Sequence, residues 1–229
     1  MGGQACVFYD GTDFSVDTDI VIDLNEDNVQ RLTRALEELQ ARRIAVPPFE
    51  TDYLRRGHAV HFRCQHPDAQ DMRLDVMCTM RGVSPFEELW QRRSSVEIEN
   101  VLVEMLGLSD LVRAKKTQRD KDWVMIRKMV REHYARNRRD PTNAQVAFWL
   151  SEGRRADFLI KIAQSFPAIA EAVKSQRSLV ELACASDTLA LAKAVKDEEH
   201  KEREADREYW KPLKAELEQI RLNRHRNTE

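Results

Sequence analysis

The stretch Asp17-Thr18-Asp19-Ile20-Val21-Ile22-Asp23 decides how this chain is read. A branched apolar run, Ile20 to Ile22, follows a polar turn, which predicts a β-strand. Side chains alternate along a strand, so Asp17, Asp19, Val21 and Asp23 share one face. Thr18, Ile20 and Ile22 take the other face, which enters a core. Two carboxylates at i, i+2 on a strand hold one hard divalent cation when a substrate phosphate completes the shell. A surface strand edge with solvated acids has the same pattern, and the aspartate pair alone does not separate the two.

Upstream, residues 2–9 begin with Gly2-Gly3 and continue as a compact apolar stretch, a Gly pair ahead of a short helix whose backbone N–H groups suit a phosphate. Downstream, Asn25 caps a helix expected over 25–43. Glu26 and Asp27 lie in its first turn, Val29, Leu32, Leu36 and Leu39 form its apolar stripe, and Arg42 and Arg43 its last turn. Residues 59–64 and 72–78 read as a hairpin. In its second strand Met72, Leu74, Val76 and Cys78 point one way and Arg73, Asp75 and Met77 the other. Asp75 therefore stands opposite an apolar face, as Asp17 and Asp19 do. We expect the three carboxylates to converge at a two-metal site, with about 4 Å between ions. His58, His61 and His66 lack a matching carboxylate spacing and read as surface or hairpin residues.

Ser84-Pro85-Phe86-Glu87 predicts a helix start with a capping box and Pro at the first position. Residues 96–105 alternate in part and predict a hairpin turning at Glu99-Asn100, with a helix as the competing reading. Ser109 caps a helix that runs through Asp122 and on to about Asn137. On it Lys115, Arg119 and Asp122 share one face at i, i+4, i+7. After Arg138-Arg139-Asp140-Pro141 the chain reads as helical throughout: 143–150, 155–165, 167–175 and 179 onward. The mixed-charge run 196–208 suits a solvated helix or a coiled-coil flank, and Pro212 is expected to kink or break it. Domain boundaries are placed at 1–137 and 138–229.

The 229 residues carry a formal charge of -2, unevenly spread. Residues 1–50 hold ten acids and four Lys/Arg, while residues 111–139 hold eleven Lys/Arg and three acids. An acidic site facing a basic wall suits a metal-bound polyanion, and a solvated helix face fits the charge equally. The four cysteines show neither C-x-x-C nor zinc-ligand spacing and read as reduced, mostly buried thiols. With no apolar run of transmembrane length and no signal-peptide pattern, the expectation is a soluble cytoplasmic protein with no membrane role.

Taken together, Gly2-Gly3, Asp17-Thr18-Asp19, Arg73-Leu74-Asp75-Val76-Met77, and Ser109-Asp110-Leu111-Val112 through Lys115, Arg119, Lys121 and Asp122 resemble the DNA polymerase β-like nucleotidyltransferase superfamily. The likeness is nearest to the AbiEii-type toxins and minimal nucleotidyltransferases of bacteria, and it covers about residues 2–135. It implies an α+β fold, a small mixed sheet with flanking helices, followed by an all-α C-terminal region. It implies transfer of an NMP from an NTP such as ATP to a hydroxyl on RNA (tRNA) or protein, with a toxin–antitoxin setting among the roles it offers. Asp17, Asp19 and Asp75 would then be both the catalytic residues and the ligands of Mg²⁺ or Mn²⁺. Gly2, Gly3, Lys115, Arg119 and Asp122 would serve the nucleotide, with Lys115 pointing toward the aspartates. The family has a strand ahead of its Gly pair, so a sheet lacking that strand and a frayed N-terminus are expected. The alternative is a catalytically weak or inactive member acting as a binding partner or RNA-binding scaffold. The C-terminal helices are candidates for a protein partner.

Overall fold

Ile22, Leu36, Leu54, Val60, Phe62, Cys64, Leu74 and Val76 are buried in one cluster. These are the apolar faces that strand alternation and the helix stripe mark out. Each fully buried aliphatic side chain of this kind contributes about 1.5–3 kcal/mol. A computed structural model of the chain describes residues 1–226, with side chains to 223.

The first unit comprises residues 1–8, 12–114 and 207 onward. Its elements are α1 (Gly2–Phe8), β1 (Asp17–Val21), α2 (Glu26–Glu38), β2 (Arg42–Arg43), α3 (Thr51–Arg55), β3 (Val60–Arg63), β4 (Arg73–Met77), α4 (Phe86–Gln91), β5 (Ser94–Ile98), β6 (Val101–Met105) and α5 (Leu108–Ala114). The main sheet has the order β1-β4-β3-β2. β1 and β4 are parallel, and the β4–β3 and β3–β2 pairs are antiparallel. β1 is an edge strand of this mixed sheet. β5 and β6 form a separate ribbon that turns at Glu99 and Asn100, both at positive φ (49° and 66°). That is the geometry a two-residue hairpin loop requires.

Three local expectations change. α2 ends at Glu38 because Gln40 adopts φ 48° and the Ala41 N–H returns to the Leu36 carbonyl, closing the last turn. Arg42 and Arg43 are therefore a strand paired with β3. α4 has no side-chain cap, because the Ser84 hydroxyl accepts from Arg92 Nη2 (3.0 Å) instead. The helix expected from Ser109 to Asn137 is two helices. α5 already begins at Leu108 and ends at Ala114, and the next starts at Asp120.

The second unit comprises residues 9–11 and 115–206. Residues 115–137, grouped with the first domain on sequence grounds, fall here. It contains α6 (Asp120–Asn137), α7 (Asn143–Glu152), α8 (Ala156–Ser165), α9 (Pro167–Lys174), α10 (Val180–Cys184) and the first part of α11 (Thr188–Arg226). Trp123, Trp149, Leu150, Leu159, Ile162 and Leu191 are fully buried in it. Trp123 Nε1 donates to the Thr117 carbonyl (2.7 Å) and Trp149 Nε1 to His133 Nδ1 (2.9 Å), so both buried indoles are satisfied. Thr142 and Gln145 form a capping box at the start of α7. Pro212 lies inside α11 and does not end it. In the first unit this helix is held beyond Pro212 by buried Leu213 and by Glu216, which pairs with Arg56 and His58 (2.7 Å each). Among the described residues no helix is long and apolar enough to cross a membrane.

Candidate active site

The polar face of the main sheet follows from strand parity and register. Asp17 lies opposite Arg73, and Asp19 opposite Asp75, on the parallel pair β1–β4. His61 of β3 lies opposite Asp75 on the other side. Register partners project to the same face, so Asp17, Asp19, Arg73, Asp75 and His61 share one surface, away from the Leu74–Val76 core.

Asp75 is only 7 % exposed and is fully engaged. Arg73 makes a two-pronged contact, Nε to Oδ1 at 2.9 Å and Nη2 to Oδ2 at 3.0 Å. His61 Nδ1 lies 2.8 Å from Oδ1. That nitrogen carries the proton, because a lone pair facing a carboxylate oxygen would repel it. The 3.3 Å approach of Arg73 Nη2 to the same nitrogen is then a contact rather than a hydrogen bond. Burial pushes the Asp75 pKa upward. The hydrogen bonds from His61 and Arg73 and their positive charges outweigh it, so the carboxyl sits below its usual range. The Arg73 guanidinium is stabilised in turn, first by its hydrogen bond to Asp75 and also by the charges of Asp75, Asp17 and Asp19.

The glycine pair forms the first two residues of α1 rather than preceding it. Gly2 has φ 72°, and a Cβ there would collide with the Asp19 carboxylate. A Cβ on Gly3 would collide with the Ser15 hydroxyl, which itself donates to the Asp17 carbonyl (3.1 Å). Gln4 Nε2 reaches Thr18 Oγ1 at 2.9 Å. Three successive residues of α1 thus lie on the aspartate strand and the turn that leads into it, and glycine is what permits the approach.

The donor set suits a hard cation in kind and in register: three carboxylates on one face of two neighbouring strands. As the side chains stand, no three His, Cys, Asp or Glu among the described residues are placed to share an ion. Arg73 holds both oxygens of Asp75, so an ion bound there must share an oxygen with the guanidinium or displace it.

Lys115, Arg119 and Asp122 belong to the second unit and do come together there. The cause is not one helix face, since residues 115–119 form the link between α5 and α6. Asp122 is completely buried and accepts from Arg119 Nε (2.7 Å), Thr117 Oγ1 (2.5 Å) and Lys115 Nζ (3.5 Å).

Sequence reasoning passed over Arg73 and His61. Their signal was parity: Arg73 is two residues from Asp75 on one strand. His61 was set aside with the other histidines for want of a carboxylate spacing, yet it is Asp75's cross-strand partner. His58 is buried on Glu216, and His66 caps a short 3-10 turn over Pro67–Ala69. Cys64 is buried as expected and burial raises its thiol pKa, whereas Cys184 is exposed. Compared with protein-family models, with curated proteins and with solved structures, the chain finds no match in any of the three.

Proposed function

We propose that the chain is a metal-dependent nucleotidyltransferase that moves an NMP from an NTP to a hydroxyl of RNA or protein. The observation that supports it most is the placing of Asp19 at the register of Asp75, with Gly2 packed against Asp19 too closely for any side chain. In this reading Asp17, Asp19 and Asp75 hold Mg²⁺ or Mn²⁺. The ion supplies charge neutralisation on the phosphates and lowers the pKa of the attacking hydroxyl. Asp75 receives the proton as the hydroxyl oxygen attacks the α-phosphorus; the bond to the bridging oxygen breaks and pyrophosphate leaves. The backbone N–H groups of Gly2 and Gly3 serve the β- and γ-phosphates.

The second reading is a catalytically weak member of the same fold that acts as a binding partner. One observation favours it: Arg73 and His61 already engage Asp75. A single experiment separates the two. The protein is incubated with each α-labelled NTP, Mg²⁺ and cell extract, beside Asp17→Asn and Asp19→Asn. Label transferred by the parent chain and reduced at least about 100-fold in both variants supports the transferase. No label from any NTP, or equal label from the variants, overturns it.

A further inference from the structure

The helical unit carries a groove of about 530 Å³ between α6 and the start of α8. Arg127, Lys128 and Arg131 line it from α6, Arg154 and Arg155 from the α7–α8 link, and Lys161 from α8. Against these six cations the lining holds one acid, Asp157. Tyr134 and Phe158 lie in the same wall, edge to face with ring centroids 5.2 Å apart. Lys161 Nζ stands 5.4 Å from the Tyr134 ring centroid. A second groove, of about 700 Å³, shares Arg127, Arg154, Arg155 and Asp157 with the first and adds Lys196, His200 and Arg203 with one further acid, Glu199. The two form one basic track within this unit.

A solvated face of ordinary ion pairs is the competing account, and part of the track fits it. Arg127 pairs with Glu199 (3.2 Å), Arg131 with Glu132 (2.7 Å) and Arg155 with Asp157 (2.6 Å). Such exposed pairs are weak and exchange readily for a phosphate. Arg154 is different. Its side chain is 1 % exposed at the point where the grooves meet. Nη1 contacts Glu198 and Nη2 contacts Glu152 (3.1 Å), but the buried Nε has no hydrogen-bond partner. Glu152 and Glu198 are also shared with Lys116 (2.9 Å) and Arg177 (2.6 Å), so two carboxylates serve three cations. Arg177 lies in the same cluster. Burial and the charge of Arg154 pull its pKa down against its own hydrogen bond to Glu198 and the charges of Glu198 and Glu152. At the same point α8 begins without a side-chain cap from Arg155, and the Asp157 carboxylate accepts from the N–H groups of Asp157 and Phe158 in its first turn. A buried guanidinium nitrogen without a hydrogen-bond partner, in a wall of six cations and one acid, favours an anion.

We propose that this track binds single-stranded nucleic acid, with successive phosphates on Arg127, Arg131, Arg155 and Lys161, the buried Arg154 adding positive charge beneath them, and bases against Tyr134 and Phe158. Repeated cations along confluent grooves match repeated phosphates, and aromatic rings in the wall give bases a surface that a polyanionic peptide cannot use. The inference rests on the helical unit alone and is independent of the transferase reading.

The test uses the full chain and fluorescence anisotropy with labelled 20-nucleotide RNA and DNA strands, in parallel with labelled polyglutamate. Binding to the strands should weaken steeply with salt, each neutralised phosphate adding about 0.7 to the log–log slope. The triple variant Arg131→Gln/Arg155→Gln/Lys161→Gln changes exposed side chains only. It should lose at least about 10-fold in affinity and lower the slope by about two. The double variant Lys211→Gln/Lys214→Gln on α11 should bind as the parent does. Polyglutamate bound as tightly as RNA and DNA would make the track an acidic-peptide site and overturn the proposal. So would strand binding unchanged in the triple variant, or no binding to either strand at 50 µM protein and low salt.

Discussion

Gly2 and Asp19 are in such close contact that a Cβ on the glycine would occupy the position of the aspartate carboxylate. Gly2 also has φ 72°, in the left-handed region. Gly82 has nearly the same φ, 71°, but open space where its Cβ would be. Gly82→Ala should cost only the backbone strain, about 1 kcal/mol. Gly2→Ala adds a steric conflict with Asp19 and should cost about 2–3 kcal/mol. Urea unfolding of the two variants makes the comparison. Equal costs would mean that α1 yields without disturbing the aspartate strand.

Asp122 organises the link into α6. Its buried carboxylate accepts from Lys115, Thr117 and Arg119. Removing it leaves Lys115, itself 8 % exposed, without its carboxylate. Asp122→Ala should cost about 3–5 kcal/mol. Thr117→Val removes one neutral donor and should cost about 1 kcal/mol. Thermal unfolding that ranks Thr117→Val as the more damaging variant would mean that Asp122 is not the centre of this network.

That link also shows where sequence reasoning reaches its limit. Lys115 to Asp120 contain neither Gly nor Pro, so a helical period passes through them without a stop signal. The break is imposed from a distance in sequence: Asp206 accepts from the Gln118 N–H, and Arg203 donates to the Gln118 carbonyl. The end of α2 was hidden similarly, because its left-handed residue is Gln40 rather than Gly. The capping signature at Ser84–Glu87 was legible yet idle, since Arg92 takes the serine hydroxyl, while the working box at Thr142–Gln145 went unread behind Pro141. Strand alternation did carry the faces of β1 and β4, and with them the common surface of Asp17, Asp19 and Asp75. It could not carry their pairing, because β4 joins β1 across fifty residues and only packing decides that register.

Acid should weaken the helical unit in two steps. His133 accepts from Trp149 Nε1, and burial, helped by the charge of Arg136, lowers its pKa. The unfolded chain therefore takes up a proton near pH 6.5 while the native imidazole stays neutral. The unfolded state binds more protons, so stability falls as pH drops from about 6.5 through the depressed native value. Glu198 acts lower on the scale. Burial raises its pKa, but its hydrogen bond from Arg177 and the charges of Arg177, Arg154 and Lys116 bring it below the ordinary value. Its contribution is present above about pH 4.3 and is lost as pH falls through the native value. Melting temperature followed from pH 7.5 to 3 should show both steps. His133→Gln should erase the upper one and leave the lower. A single step common to both proteins would remove His133 from the account.

Arg73 and a divalent cation compete for the same two oxygens if Asp75 is a metal ligand. The guanidinium holds the Asp75 oxygens at 2.9 and 3.0 Å, and the surrounding charges of Asp17 and Asp19 tighten that hold. Arg73→Gln removes a positive charge from the face and frees Asp75 to turn toward Asp19, its register partner. The variant should bind Mn²⁺ about 10-fold or more tighter, a change of about 1.4 kcal/mol, measured by paramagnetic titration without any nucleotide. It should also be less stable than the parent without the ion, by about 1–3 kcal/mol, because a buried carboxylate keeps only His61. Added Mn²⁺ should restore part of that loss by binding the native state alone. Asp75→Asn in the same background should abolish both the tighter binding and the rescue. If Arg73→Gln binds Mn²⁺ no better than the parent, Asp75 is a structural partner of Arg73 and the metal assignment on this face fails.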